Sequence, residues 1–463
     1  MKTEGGRFSR GFKAALLETM VKTPAVEPAP RAGSTSAGSA ASAGKFDTSF
    51  ETLPAYQAFR TQRAVADALH LNFPFYRVHD AMAGARSVIA GQPVVNFASY
   101  DYLGLNGHPD ITAAVIEATK TWGTSVSASR ITAGERDFHR QLERALADIY
   151  EADDALVFVS GHATAISTVA ALLGPKDLIL HDSLIHNCVV VGAQLSGATR
   201  RPFPHNDLAG LEAMLAATRD KFERVMIITE GLFSMDGDGP DLARLVEIKD
   251  RFDCWLMVDE AHSVGVLGAT GRGIAEQAGV DPRRVDIWLG TLSKTLVSCG
   301  GYVAGSRPLI DFLKLAAPGM VYSVGMPAPA ALAALTAIEI MRREPARVAR
   351  LQANGQLFLR LAREAGLDVG TSAGYAVTPV IIGDSLRTVL LAERLLKRGI
   401  NAFPIVPPGV PEKSARLRFF ISSEHTEAEI RAAVAATAEE VAGVEREGIS
   451  LGTIAKLMIK RAT

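Results

Sequence analysis

Cysteine is scarce in this chain: three in 463 residues, at Cys188, Cys254 and Cys299. They are too widely spaced for a zinc-ligand pattern or a disulfide framework, which fits a reducing cytosol. A cytoplasmic protein is therefore expected. Long apolar runs are missing too. No uncharged stretch reaches the roughly 18 residues of a membrane-crossing helix, so no span is expected. Charge of one sign does not dominate: 49 Lys and Arg against 50 Asp and Glu leave a net charge of −1. A nucleic-acid partner, which would call for a basic field, is not expected. No internal repeat is evident. What is there is ordinary for a globular protein, 48% hydrophobic and 21% charged residues, in a chain long enough for a large core and two domains in one body.

The ends differ from the middle. Residues 23 to 45 are mostly Ala, Ser, Gly, Thr and Pro, a linker composition that cannot bury a core. Before them, Met1 to Lys22 carries five Lys and Arg and two Glu, with Phe12, Ala15, Leu16 and Met20 at helical spacing. A disordered tail is the plainer reading, and a docking or membrane-surface helix the sharper one. No long apolar stretch follows the charges, so a secretory signal is not expected. The C-terminal stretch sets Leu451, Ile454, Leu457 and Met458 against Lys456, Lys460 and Arg461, which also suits peripheral contact with the inner membrane. The expected boundaries are a basic tail and linker over 1–45, an N-terminal segment over 46–100, a large domain over 101–330, a smaller C-terminal domain over 331–446 and an amphipathic tail over 447–463.

Through the middle, short apolar runs alternate with helical patterns. The runs Ala155–Val159, Leu178–Leu180, Val225–Thr229, Trp255–Val258 and Val285–Leu289 read as buried strands. Helical patterns such as Leu208 to Arg219 and Ala243 to Arg251 lie between them. This predicts an α/β fold with a mostly parallel sheet covered on both faces. After about residue 330 the pattern changes. A helix over Pro329 to Arg342 and strands near Val377–Ile382 and Arg416–Ser422 predict a smaller α+β domain, and a cleft between two such domains is a usual cofactor site.

Two strand ends carry the most chemistry. Asp259 closes one apolar run, and Lys294 follows another in Gly290-Thr291-Leu292-Ser293-Lys294. Open α/β sheets gather their chemistry at the carboxyl ends of strands. A lysine there can hold an aldehyde cofactor as a Schiff base, and an aspartate can keep a pyridine nitrogen protonated. Together they point to pyridoxal 5'-phosphate (PLP). Ser160-Gly161-His162 lies between a strand and a helix, where backbone N–H groups and the helix dipole favour an anion such as the cofactor phosphate. A plain strand-to-helix turn would look the same. Thr291 and Ser293 offer hydroxyls to that phosphate. His186 is placed to stack on the pyridine ring, unless it is an ordinary core histidine. His262 is close enough to Asp259 to reach the phenolic oxygen. Arg416 and Arg418 share a strand face, and either could grip a carboxylate in a fork. The glycines of Gly268 to Gly273 lack dinucleotide-fingerprint spacing and read as a turn.

These residues stand in motifs that resemble the α-oxoamine synthases, a family of fold-type I PLP enzymes. The motifs are Ser99-Tyr100-Asp101-Tyr102-Leu103-Gly104, Ser129-Arg130, His139-x-x-Leu142-Glu143, Ser160-Gly161-His162, Glu230 to Asp238, Asp259-Glu260-Ala261-His262, Thr291 to Lys294 and Ala415 to Arg418. The resemblance implies a fold-type I PLP-transferase, with a mostly parallel seven-stranded sheet in its large domain. It implies Lys294 as the Schiff-base lysine, Asp259 as the pyridinium partner, His186 as the stacking histidine, and His262 and Ser234 near the phenolic oxygen. Gly161, His162, Thr291 and Ser293 fall at or beside the phosphate, and Arg418 matches the substrate-carboxylate arginine. Ser323 resembles a phosphate contact lent by a second subunit, which implies a homodimer with a shared active site.

The family condenses an amino acid with an acyl thioester and releases CO2. Tyr100 is similar to the residue in serine palmitoyltransferases, whereas Asp101, Val297 and Ala165 depart from common family residues, as does Val406, where an arginine is frequent. The first expectation is serine with a long-chain acyl thioester, giving a 3-ketosphinganine-type product. The alternative is alanine or glycine with another acyl-coenzyme A or acyl-carrier-protein donor, as in 8-amino-7-oxononanoate synthase. Two other classes compete: a family member without catalysis that serves as a binding subunit, which the presence of Lys294 argues against, and a plain aminotransferase that releases no CO2.

Overall fold

The computed structural model describes residues 48–68 and 72–448. Both tails, over 1–47 and 449–463, lie outside the described residues, and so do the expectations placed on them. Two compact units emerge, one ending at Tyr76 and resuming at Glu447, the other spanning Arg77–Arg446. In the first, the helix Pro54–Ala68 brings Phe59 edge-on to Phe73 at 5.9 Å, and Phe73 meets Phe75 at 5.2 Å.

The second unit opens with strands β1 (Arg86–Ile89) and β2 (Gln92–Asn96), then builds the main sheet from β3 (Asp154–Phe158), β4 (Leu178–Asp182), β5 (Thr199–Phe203), β6 (Val225–Glu230), β7 (Trp255–Asp259), β8 (Ile287–Thr291) and β9 (Gly301–Gly305). The order across this seven-stranded sheet is β3-β9-β8-β7-β6-β4-β5, and β9 alone runs antiparallel to its neighbours. Every residue of β6 is buried, as expected of a parallel strand covered on both faces. Leu156, Ile179, Met226, Ile228, Met257, Leu289 and Val303 form the core beneath the helices Gly161–Leu172 and Asn187–Ser196. Fully burying each such side chain contributes about 1.5–3 kcal/mol before the entropy of ordering it is subtracted. The mostly parallel sheet matches the fold predicted above.

The C-terminal part adds β10 (Val377–Ile381), β11 (Ile400–Asn401), β12 (Phe403–Ile405) and β13 (Arg416–Phe420). Strands β10, β13 and β12 form an antiparallel sheet, while β11 pairs with β2 in a sheet β1-β2-β11. The stretch read above as an N-terminal segment over 46–100 contributes two strands to a sheet completed by the C-terminal part. The chain after β2 also runs beside the end of β13: Phe420 N donates to Phe97 O at 2.8 Å and Ser423 N to Tyr102 O at 2.8 Å. This pairing places Tyr100 and Tyr102 next to Arg418.

Candidate active site

Register sets the acid–base centre. In the β6–β7 ladder Glu230 lies directly beside Asp259, and Asp259 is paired with Leu289 of β8. Both carboxyls are buried, and burial raises the pKa of each. The Asp259 charge is supported by Lys294, by the Ala261 N–H at 2.9 Å and by His186. Lys294 follows β8 in a turn closed by Val297 N donating to Lys294 O at 2.9 Å. Its Nζ lies 5.7 Å from the centre of the Tyr100 ring. Burial lowers the lysine's pKa, Asp259 and Glu230 pull it back up, and Arg418 lowers it further. The next carboxyl, Glu260, is pushed by burial up to about 8.

His186 caps the helix Asn187–Ser196, and its own N–H donates to Glu230 Oε1 at 2.8 Å. The residue is exposed rather than packed in the core, with Asp259, Lys294 and Arg418 near enough for their charges to act on its ring. His162 is also exposed and close enough to His186 for their charges to interact.

A cradle for an anion forms where β8 and β9 meet the start of the helix Gly161–Leu172. Thr291 Oγ1 bonds Ser293 Oγ at 2.7 Å and Gly300 O at 3.0 Å. A Cβ at Gly161 would stand 2.8 Å from Thr291 Oγ1, and one at Gly301 would stand 2.6 Å from Gly161 Cα. Only glycine allows this approach of helix start to strand end, which leaves backbone N–H groups and two hydroxyls together.

The far wall comes from β13 and the stretch after β2. Both arginines of β13 are buried on one face, but their partners differ. Arg416 is committed to Asp236 Oδ1 at 2.6 Å and to Met235 O at 2.9 Å. Arg418 donates to Ser234 O at 3.3 Å and Met235 Sδ at 3.5 Å, has Tyr100 as a further side-chain partner, lies 4.4 Å over the Phe420 ring, and keeps a buried Nε without a partner among the described residues. Of the two, Arg418 is the one free to take a carboxylate. His262 is buried, held neutral by burial and by the nearby cations Lys294 and Arg418, and its Nδ1 bonds the Tyr102 hydroxyl at 2.7 Å. Asp101 faces away into its own loop, accepting from Leu105 N at 2.7 Å and Asn106 N at 3.1 Å.

Residues 92–436 match the family model for aminotransferase class I and II. A Gloeobacter violaceus protein provisionally named 8-amino-7-oxononanoate synthase is 42% identical over 365 residues, 78% of this chain and 92% of its own length. The 8-amino-7-oxononanoate synthase of Symbiobacterium thermophilum is 40% identical over 354 residues, 76% of this chain and 90% of its own. The chain belongs to the class I and II aminotransferases, in their α-oxoamine synthase branch. Among solved structures, the serine palmitoyltransferase of S. paucimobilis with a bound PLP–myriocin aldimine matches with a TM-score of 0.82 and 25% identity, over 85% of this chain and 99% of that one. The 8-amino-7-oxononanoate synthase of Francisella tularensis matches with a TM-score of 0.66 at 25% identity, over 77% of this chain and 99% of that one.

PLP is the cofactor of this branch, and the residues of this α-oxoamine synthase fit it. A buried amine, a buried carboxylate one strand away and a glycine-lined anion cradle are the three features its aldehyde, pyridine nitrogen and phosphate require. The structure brings together Lys294, Asp259, His186, His262, Tyr100, Arg418 and Ser234, with Gly161, His162, Thr291 and Ser293 at the cradle. Ser323 is not among them. It sits between Tyr322 and Val324, 86% and 47% exposed, and no hydrogen bond ties it to Lys294 or Thr291. Sequence reasoning missed Glu230 and Tyr102 as parts of the site. A carboxylate ending the largely apolar run Val225–Thr229, and a tyrosine inside the Ser99–Gly104 motif, were the signals available. No helix among the described residues is long and apolar enough to cross a membrane.

Proposed function

We propose that this α-oxoamine synthase condenses alanine with an acyl thioester, releasing CO2 and an α-amino ketone, as 8-amino-7-oxononanoate synthase does. The observation that carries this reading is the agreement at 40–42% identity with proteins of that name along nine-tenths of their length. The product name itself describes an amine on a carbon bearing one methyl group, the fragment alanine leaves after losing CO2. When bound, PLP supplies the electron sink for a carbanion at the amino acid's α-carbon. Lys294 Nζ, made less basic by burial, takes the Cα proton. Asp259 keeps the pyridine nitrogen protonated, and His186 covers the ring face. Arg418, with one guanidinium nitrogen unpartnered, binds the substrate carboxylate. Ser323, beside exposed Tyr322 and Val324, serves the phosphate site of a second copy in a homodimer.

A second reading, serine with a long-chain donor, is favoured by the higher TM-score to serine palmitoyltransferase and by Tyr100 against Lys294. Release of CO2 from alanine, glycine and serine against a panel of acyl-coenzyme A and acyl-carrier-protein donors separates the two. Turnover with alanine and a donor of moderate length is expected. Turnover confined to serine with long-chain donors would replace the first reading with the second.

A further inference from the structure

His186 is held at two points by groups that the proposed reaction does not consume. Its backbone N–H donates to Glu230 Oε1 at 2.8 Å, and the same carboxyl receives the Ser234 N–H. Its Nδ1 accepts the Cys188 backbone N–H at 3.3 Å and lies 3.0 Å from Cys188 Sγ. An amide N–H can only donate, so Nδ1 carries a lone pair. The thiol facing that lone pair must donate as well, and the proton of the neutral ring therefore sits on Nε2. The positive end of the helix that His186 caps disfavours a second proton on the ring. Burial, with Asp259 and Glu230 close by, raises the pKa of the Cys188 thiol and keeps it a donor. Around the imidazole stand Asp259, Lys294, His162 and Arg418, and among the described residues its ring bonds run through Nδ1, not Nε2.

We propose that Cys188 and Glu230 are positioning residues for His186, Glu230 by anchoring its backbone and Cys188 by holding the ring in the Nε2–H form. In that form the histidine presents a donor to an anionic substrate, whereas the other tautomer would present a lone pair and repel it. The proposal rests on His186 covering the PLP ring, as in the function proposed above.

The test uses the full chain labelled with 15N-histidine and loaded with PLP, beside Cys188→Ala, Cys188→Ser and Glu230→Gln. In the unsubstituted protein His186 should show a protonated Nε2 and a bare Nδ1. Cys188→Ala keeps the backbone N–H, the longer of the two contacts at 3.3 Å, and loses the thiol at 3.0 Å, so its signature should shift toward a mixture of tautomers and PLP should bind roughly three- to tenfold more weakly, the range for one lost hydrogen bond. Cys188→Ser, which keeps a donor, should restore both. Glu230→Gln still offers one oxygen to the His186 N–H and should preserve the tautomer while weakening PLP binding. Nitrogen shifts and PLP affinity unchanged in Cys188→Ala would overturn the proposal. Failure of the unsubstituted chain to take up PLP would instead overturn the proposed function, and the nitrogen shifts of the unloaded chain would still decide the Cys188 contact.

Discussion

A lysine serves as a base only when its proton is loosely held, and burial lowers the pKa of Lys294 against the opposing pull of Asp259 and Glu230, as its proposed role requires. Lys294→Ala should leave the purified protein without the visible absorbance of bound PLP and without turnover. A retained absorbance band would refute the lysine assignment. Three residues on, Val297 has φ +41, the left-handed region that a β-branched side chain rarely enters. That conformation costs about 1–2 kcal/mol for a residue with a Cβ, against about 0.5–1 kcal/mol of extra chain entropy that glycine loses on folding. Val297→Gly should therefore raise stability by about 0.5–1 kcal/mol, read as a higher urea midpoint at unchanged slope. A lower midpoint would mean that the valine side chain packs more favourably than its backbone is strained. Strain beside the lysine proposed to be catalytic is where a protein holds a group in place, so the same variant is expected to loosen PLP binding as it gains stability.

Between elements, one histidine joins what the strands only bring near. His205, just after β5, bonds Asp182 at the end of β4 at 2.9 Å and Asp238 in the loop after β6 at 3.1 Å. Burial lowers its pKa, but the two carboxylates outweigh that and raise it to about 10. A histidine whose folded pKa lies above its unfolded value near 6.5 stabilises the protein fully below that value and loses the contribution as pH rises toward 10. His205→Gln should cost on the order of 3 kcal/mol at pH 6, with the difference from the unsubstituted protein shrinking steadily up to pH 10. Urea midpoints measured across that range check the slope, and a difference independent of pH would show that the ring is neutral.

The strands that sequence reasoning located, β3, β4, β6, β7, β8, β10 and β13, are those whose apolar runs are buried on both faces or lead into charged ends. Two of those it missed, β9 and β5, have a physical reason. Gly301-Tyr302-Val303-Ala304-Gly305 carries little apolar bulk because β9 lies against the glycine approach at Gly161, and Thr199-Arg200-Arg201-Pro202-Phe203 is the exposed edge strand β5. Site residues at strand ends were legible because position along a strand is written in sequence. The contacts of Tyr102 with His262 and of Asp236 with Arg416 cross more than a hundred residues and depend on tertiary packing alone.

At the scale of the whole molecule, the candidate site is assembled from two sheets that share no strand: Asp259 ends β7 and Lys294 follows β8 of the large one, while Arg418 stands on β13 of the small one. The loop Gly231–Gly239 joins them. Gly231 N donates to Asp259 O at 2.8 Å, Ser234 O receives Arg418, Asp236 takes Arg416, Gly237 O receives Ala373 N at 2.9 Å, and Asp238 receives Thr371 Oγ1 at 2.7 Å. The Arg416–Asp236 pair is the strongest of these ties, with side chains only 6% and 15% exposed. Removing one partner of such a pair leaves an uncompensated charge and costs about 3–5 kcal/mol, whereas replacing both with apolar groups is often near neutral. Arg416→Met should therefore lower the urea midpoint strongly, and adding Asp236→Leu should recover most of the loss. Activity should not recover with it. Arg418 takes its place from the same loop, so the double variant is expected to fold well while binding its amino acid more weakly, seen as a raised KM with PLP uptake retained. Full recovery of KM along with stability would mean that the position of Arg418 is set by β13 alone and that the loop only holds the two sheets together.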